Sequence, residues 1–397
     1  MSVVSDEQAW RQALVAARRV VIKLGTGTVT NERGEICHER VDPIVRAISE
    51  LRKDGRQIVL VSSGAVGMGA GHLGLPSERL NDVVTKQACA AVGQSLLMNA
   101  YGQLFRAHDI RIAQILLTES DFTEWQRYQT LRQTIERLLK LDVLPIVNEN
   151  DTVSIAELER IGSEGNRVFS DNDRLASLVM SKLGAEVLVI LTNVDGLLSK
   201  APNSNDAEPA QVITFVDEIT ASLTAMAAGP AARGRGGMTT KLEAAQIAMR
   251  SGICVIANGA YPETLTRLFA GERTGTVFAP GSRMGGKRRW IAFATNVRGR
   301  LTVNSGAREA LLGGKGSLLA SGVIAVEDKF AAKDVVGIVD DYGHEFARGV
   351  INCDSAETLR MIASSAGRPQ RAKDHVLIAR ENIVLHDNEQ RAETHDK

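Results

Sequence analysis

One feature restricts the fold more than any other. Short apolar runs recur along the chain, and each ends at once in a polar or glycine-rich cluster. The runs cover residues 20–24, 58–61, 112–117, 143–147, 187–191 and 254–257. Apolar stretches of this length without strict alternation predict strands buried on both faces, as in a parallel sheet. Between them, helical periodicity and stop signals predict helices over 41–51, 82–105, 128–141, 174–183, 241–249 and 263–269. Strands alternating with helices predict an α/β fold with a doubly wound, mostly parallel sheet.

The pattern changes near residue 280. The stretch 280–289 is basic and loop-like. After it come β-like runs at 291–294, 301–303, 323–326, 335–339 and 376–379, with short helices at 307–312 and 356–362. This predicts a second, smaller, mostly-β domain over 298–380, followed by a polar tail from 386 that is expected to be disordered. A chain of 397 residues has room for roughly two or three domains.

Composition removes several function classes. Lys plus Arg equals Asp plus Glu, 47 each, so no bulk charge steers the chain toward nucleic acid or membrane. Arg298, Arg300 and Arg308 form no dense basic stripe with interleaved aromatics, which argues against RNA. The uncharged stretch 88–105 is interrupted by Gln94, Ser95, Asn99 and Gln103, so it predicts a buried helix rather than a membrane span. No signal peptide is expected at the N-terminus. Cys37, Cys89, Cys254 and Cys353 lie far apart, form no metal-binding pair, and suit a reducing cytoplasm as plain core residues.

Two motifs resemble nucleotide loops without the context such loops need. Gly69-Ala70-Gly71-His72-Leu73-Gly74 fits GxGxxG, but Ser62 to Met68 separate it from the preceding strand and Pro76 follows. A surface loop is expected there rather than a dinucleotide site. Gly281 to Arg288 nearly fits a P-loop, but Arg288 stands where a magnesium-binding hydroxyl is needed and a strand-like run follows. An interdomain linker is the expectation.

The polar clusters after the apolar runs are the site candidates, because ligands of open α/β sheets bind beyond the carboxyl ends of the strands. In order they are Lys23-Leu24-Gly25-Thr26-Gly27-Thr28, Ser62-Ser63-Gly64-Ala65, Asn148-Glu149-Asn150-Asp151, Ser170-Asp171-Asn172-Asp173, Thr192-Asn193-Val194-Asp195-Gly196, and Gly234-Arg235-Gly236-Gly237-Met238-Thr239-Thr240-Lys241. Lysines beside glycine-rich turns, and glycines opening a helix, suit phosphate oxygens. Each cluster alone also fits a plainer role: a lysine stretched over a turn, a tight connection, or a helix cap. Their succession at strand and helix ends is what points to a phosphoryl-transfer site.

In this order the clusters resemble the amino acid kinase family, with Lys86-Gln87 and Ala91-Val92-Gly93-Gln94 as further matches. The tail resembles a PUA domain, a small β-barrel. The resemblance implies an amino acid kinase domain over 15–282 and a PUA domain over 298–380. The run Asn148 to Asp151 together with a PUA tail matches the branch of the family that acts on L-glutamate. Members acting on acetylglutamate, aspartate, carbamate or UMP, or a vestigial kinase kept for binding RNA, are the alternatives.

The resemblance also implies roles. Lys23 and Lys241 would neutralise the transferring phosphoryl group, with Asp173 holding both. Ser63, Gly64, Ala65, Asp151 and Asn172 would bind glutamate. Lys23, Thr192, Asn193 and the segment Arg235, Gly236, Gly237, Met238, Thr239, Thr240 and Lys241 would bind ATP, with Mg2+ bridging its phosphates and no metal held by side chains. Proline as feedback inhibitor, glutamate-5-semialdehyde dehydrogenase downstream and a homo-oligomeric state follow from the same likeness. Four departures from the family pattern stand out: Gly27 for serine, Asn193 for aspartate, Arg235 for threonine, and extra residues around 161–167.

Overall fold

The computed structural model describes residues 3–76, 80, 82–118, 120–153, 172–200, 210–227, 237–279, 291, 297–314, 316–365 and 376–385. The stretches 161–167 and 280–289 and the tail from 386 lie outside these residues, and so does the near P-loop. The chain divides into two compact units, Met1–Asp121 with Trp125–Arg283, and Phe122–Glu124 with Met284–Lys397.

The first unit opens with α1 (Val3–Ala16), β1 (Arg19–Leu24), α2 (Thr26–Val29), α3 (His38–Lys53) and β2 (Gln57–Ser62). Next come α4 (Ala65–His72), α5 (Val83–Arg106), β3 (Arg111–Leu117), α6 (Ser120–Thr123), α7 (Trp125–Lys140) and β4 (Val143–Glu149). Then follow α8 (Asn172–Leu183), β5 (Val187–Thr192), β6 (Leu197–Leu198), β7 (Val212–Ile213), β8 (Phe215–Val216) and α9 (Ala221–Ala227). The unit closes with α10 (Met238–Met249), β9 (Ile253–Asn258), α11 (Thr264–Phe269) and β10 (Thr276–Phe278).

Eight strands form one sheet in the order β3-β4-β2-β1-β5-β9-β10-β8, parallel throughout except where β10 meets β9. The apolar runs explain its centre. All six residues of β5 are buried, as are the last five of β1 and of β2, because crossover helices cover both faces. α3 turns Val41, Ile44, Val45, Ile48 and Leu51 toward the core, the 3.6-residue spacing expected of a covering helix. The chain leaves β1 toward β2, β4 and β3 on one side and returns to β5 on the other. The crevice of this doubly wound sheet therefore lies past the carboxyl ends of β1 and β5.

The structure corrects the expectation for Gly69 to Gly74. It is not a surface loop: Gly69 to His72 belong to α4, which packs on α5. Three glycines within one helix weaken it locally, which hid the helix from a propensity reading. Gly69 and Gly71 serve close packing instead. A Cβ on Gly69 would stand 1.8 Å from the carbonyl oxygen of Cys89, and one on Gly93 would stand 1.8 Å from that of Ala65. Two helix backbones in contact leave no room for side chains.

Short strands such as β8 and β10, and the helix α1, were also not apparent in the sequence. All four cysteines are free and buried, as expected. No helix among the described residues is long and apolar enough to cross a membrane.

The second unit is strand-rich. A five-stranded sheet joins β11 (Arg300–Val303), β13 (Val323–Glu327), β14 (Val335–Val339), β15 (Glu345–Val350) and β17 (Ile383–Leu385) in the order β13-β11-β14-β15-β17. β12 (Leu318–Leu319) pairs with β16 (Val376–Ile378) beside it. Leu301, Val336, Ile338, Phe346 and Leu377 form its own core. The expected strand at 291–294 is not supported: Ile291, the one described residue of that run, is helical.

Candidate active site

The parallel connections bring the amino ends of α8 and α10 to the same sheet edge as the carboxyl ends of β1, β2, β4 and β5. Lys23, on β1, and Lys241, in the first turn of α10, meet there on one carboxylate. The Nζ of Lys23 lies 2.6 Å from Oδ1 of Asp173, and the Nζ of Lys241 lies 3.1 Å from Oδ2. All three are buried: Lys23 is 3% exposed, Lys241 5% and Asp173 0%. Burial by itself would raise the Asp173 carboxyl, but the two ammonium groups outweigh it and hold it below the usual carboxylate range. Asp173 also sits in the first turn of α8, where the helix dipole favours a negative charge. Two cations and one anion sum to +1, a balance suited to an anionic phosphoryl group.

The residue before it builds a different structure. The Asn172 amide nitrogen donates to Ser62 O at 2.9 Å, Ser63 Oγ at 2.8 Å and Asn148 Oδ1 at 2.9 Å. Asn148, on β4, in turn donates from Nδ2 to Gln94 Oε1 of α5 at 2.8 Å. Four elements are thus tied by neutral amides and a hydroxyl. Because Ser63 Oγ accepts from Asn172, its own hydrogen is free to turn toward a ligand oxygen. Beneath it, the hydroxyls of Ser62 and Tyr101 are 2.8 Å apart in the core, and burial pushes the Tyr101 hydroxyl up. Gly64 caps α4 with φ 106°, a conformation that favours glycine, and so aims the N–H groups of the α4 amino end at the same edge.

Glycine at the β1 turn is less open than the sequence suggests. The Gly25 N–H donates to Leu191 O at 3.3 Å, so it belongs to the sheet. The N–H groups of Thr26 and Gly27 begin α2, where the helix itself offers no acceptor.

On the other flank, Thr192 ends β5 and Asn193 follows as an exposed residue. Thr192 O accepts the Gly259 N–H at 2.7 Å, and Asp195 accepts from Asn258 Nδ2 at 2.7 Å, so the loops after β5 and β9 form one lip. Gly237 caps α10, placing the first-turn N–H groups of Met238, Thr239 and Thr240 ahead of Lys241. Arg235 and Gly236 lie outside the described residues, as does Asp171.

Asp151 comes just after β4. It lines a cavity of about 300 Å³ with Ala91, Gln94, Gln114, Glu149 and Thr152. Gln94 belongs to the hydrogen-bonded amide set as well. Tyr101 was not singled out from sequence; Asn148 stood in one of the candidate clusters and Gln94 among the family matches, but neither was assigned a role. One signal was available: Gln94 is a polar side chain on the buried face that α5 makes with Cys89, Ala90, Gly93, Leu97 and Tyr101.

No group of three His, Cys, Asp or Glu side chains that could hold a metal ion occurs among the described residues. Burial, with the Asp173 charge adding, raises the Cys254 thiol, so it stays protonated and offers no nucleophile. The arrangement supports transfer of a phosphoryl group by positioning and charge neutralisation, with no covalent intermediate on the protein.

Comparison with known proteins agrees. The amino acid kinase family model matches residues 18–258, and the PUA domain model matches 299–371. A glutamate 5-kinase of Myxococcus xanthus is 45% identical over 356 residues, covering 89% of this chain and 91% of that protein. The glutamate 5-kinase of Moorella thermoacetica is 40% identical and covers 96% and 99%. That of Bifidobacterium adolescentis is 38% identical and covers 94% and 97%.

Proposed function

The chain belongs to the amino acid kinase family, within it to the glutamate 5-kinases with a PUA domain, and from that premise we propose how its residues divide the work. The reaction is ATP-dependent phosphorylation of the L-glutamate side-chain carboxylate, the first step from glutamate toward proline. The observation that carries the assignment of roles is the meeting of Lys23 and Lys241 on Asp173.

A glutamate side chain, with a reference pKa of about 4.3, is ionised at neutral pH and needs no general base. The difficulty is to bring one anion onto another. A carboxylate oxygen forms the new bond to the γ-phosphorus, the bond from that phosphorus to the bridging oxygen breaks, and ADP leaves. Lys23 and Lys241 offset the charge that builds on the transferring group, and Asp173 holds their amines in place. Thr192, Asn193 and the segment 235–241 receive the nucleotide, with the first-turn N–H groups of α10 directed at phosphate.

Ser63 and the N–H groups of Gly64 and Ala65 take glutamate carboxylate oxygens. Asn172 and Asp151 take its remaining polar groups. Mg2+ fits this site as a partner of the triphosphate rather than of side chains, since both Asp173 oxygens face ammonium groups. Its contribution is to screen the phosphate charge.

The product is an acyl phosphate, which water hydrolyses readily. That suits consumption by a reductase acting next, glutamate-5-semialdehyde dehydrogenase, in the cytoplasm. Feedback by proline and a homo-oligomeric state complete the reading. ADP release, or trapping of the acyl phosphate as a hydroxamate, tests it across glutamate, acetylglutamate, aspartate, carbamate and UMP, with and without proline. Turnover with glutamate far above the others is expected. Preference for any other acceptor would overturn the reading.

A further inference from the structure

The network behind Asn172 has a direction. The Asn148 Oδ1 accepts both the Glu149 N–H at 2.9 Å and the Asn172 amide at 2.9 Å. Its Nδ2 must therefore face away from them, and it meets Gln94 Oε1 at 2.8 Å. The backbone fixes Asn148, and Gln94 closes the only side of that amide left to set. Asn172 needs such support. Its nitrogen carries two hydrogens but has three acceptors within 2.9 Å, so a small rotation would trade Asn148 for the backbone of Ser62.

Stability does not account for a glutamine here. Gln94 is 8% exposed, and its Nε2 is buried with no hydrogen-bond partner among the described residues. The unpaired Nε2 costs about as much stability as the bond from Asn148 secures, so glutamine gains little over an apolar side chain of similar size.

We propose that Gln94 is a positioning residue for the acceptor substrate: acting through Asn148, it holds the Asn172 amide in the orientation that receives glutamate. The proposal rests on the glutamate reading above. Gln94 itself does not touch the substrate.

Full-length Gln94→Leu and Gln94→Met lack the acceptor oxygen, and Gln94→Glu keeps one. The KM for glutamate should rise about tenfold in the first two, the loss of one well-placed hydrogen bond, with kcat and the KM for ATP within about twofold of the parent. Gln94→Glu should restore the glutamate KM to within about threefold. The melting temperature should change little, because each apolar variant removes one orphaned amide nitrogen, Gln94 Nε2, and creates another, Asn148 Nδ2. An unchanged glutamate KM, equal rises for glutamate and ATP, or a Gln94→Glu no better than Gln94→Leu would overturn the proposal. A parent chain with no glutamate-dependent turnover would instead remove the reading beneath it, a result separable because no glutamate KM would then exist to compare.

Discussion

Asn172 and Asp173 are neighbours in one helical turn, yet they face regions built on opposite principles. Around Asp173 the structure uses formal charge: two ammonium groups on one carboxylate, all buried. Around Asn172 it uses neutral donors and acceptors with fixed directions, four elements deep. The difference matches the proposed division of work between the two regions. Charge offsets charge at the point where it accumulates, and its reach tolerates small displacements. Amides discriminate by angle, so they need partners that hold them still. One helix amino end delivers both, which in the proposed division of work would set the distance between the reacting centre and the recognition centre.

The sharpest break of this comparison is Lys241→Ala. It should lower kcat on the order of 10²–10³ with little change in the KM for glutamate, measured by steady-state ADP release. A fall in glutamate affinity without loss of kcat would place Lys241 on the wrong side of the division.

A buried lysine on α8 itself serves as a control. Lys182 sits over the Tyr128 ring with no hydrogen-bond partner for its amine among the described residues. Burial, with the Arg132 charge adding, pushes it down to about 6. Its folded pKa lies below the unfolded value of about 10.4, so between these limits the unfolded chain holds more protons and stability rises with pH. Lys182→Met should stabilise the fold by about 1–3 kcal/mol at neutral pH and remove that slope, read from melting temperature against pH. A destabilised variant would show that the amine has a partner and that buried charge on α8 is not confined to the Asp173 cluster.

Asn172→Ala tests the other side. The glutamate KM should rise about tenfold or more while the KM for ATP stays near the parent's. Equal shifts in both would merge the two regions into one. The smallest effect is expected from Gly27→Ser. A Cβ there meets nothing within 4 Å, so a hydroxyl can be added beside the α2 amino end without a clash. It should lower the KM for ATP by about two- to threefold, a weak neutral hydrogen bond. A raised KM would mean that the space is needed by the nucleotide.

How much of this was legible depends on sequence distance. Central strands were plain because burial on both faces leaves continuous apolar runs such as Val187 to Leu191; Lys23 at the end of β1 and Ser63 just after β2 stood out against them. Helix α4 was not, because Gly69 is placed for contact with α5 and Gly71 for contact with Arg33 and Gly34, rather than for helix propensity. Gln94 and Asn148 are 54 residues apart, and nothing local in either segment announces that one orients the other. Strands of two or three residues, such as β8 and β10, take their existence from neighbours rather than from a pattern of their own.

The glycine contact between α4 and α5 has a mechanical meaning. The same pair of helices carries the Ser63 turn at one end and Gln94 on its flank, and where backbone touches backbone there is no side chain to repack and little slack to slide. In the proposed reading this half of the pocket would act as a jig, cut to shape before glutamate arrives.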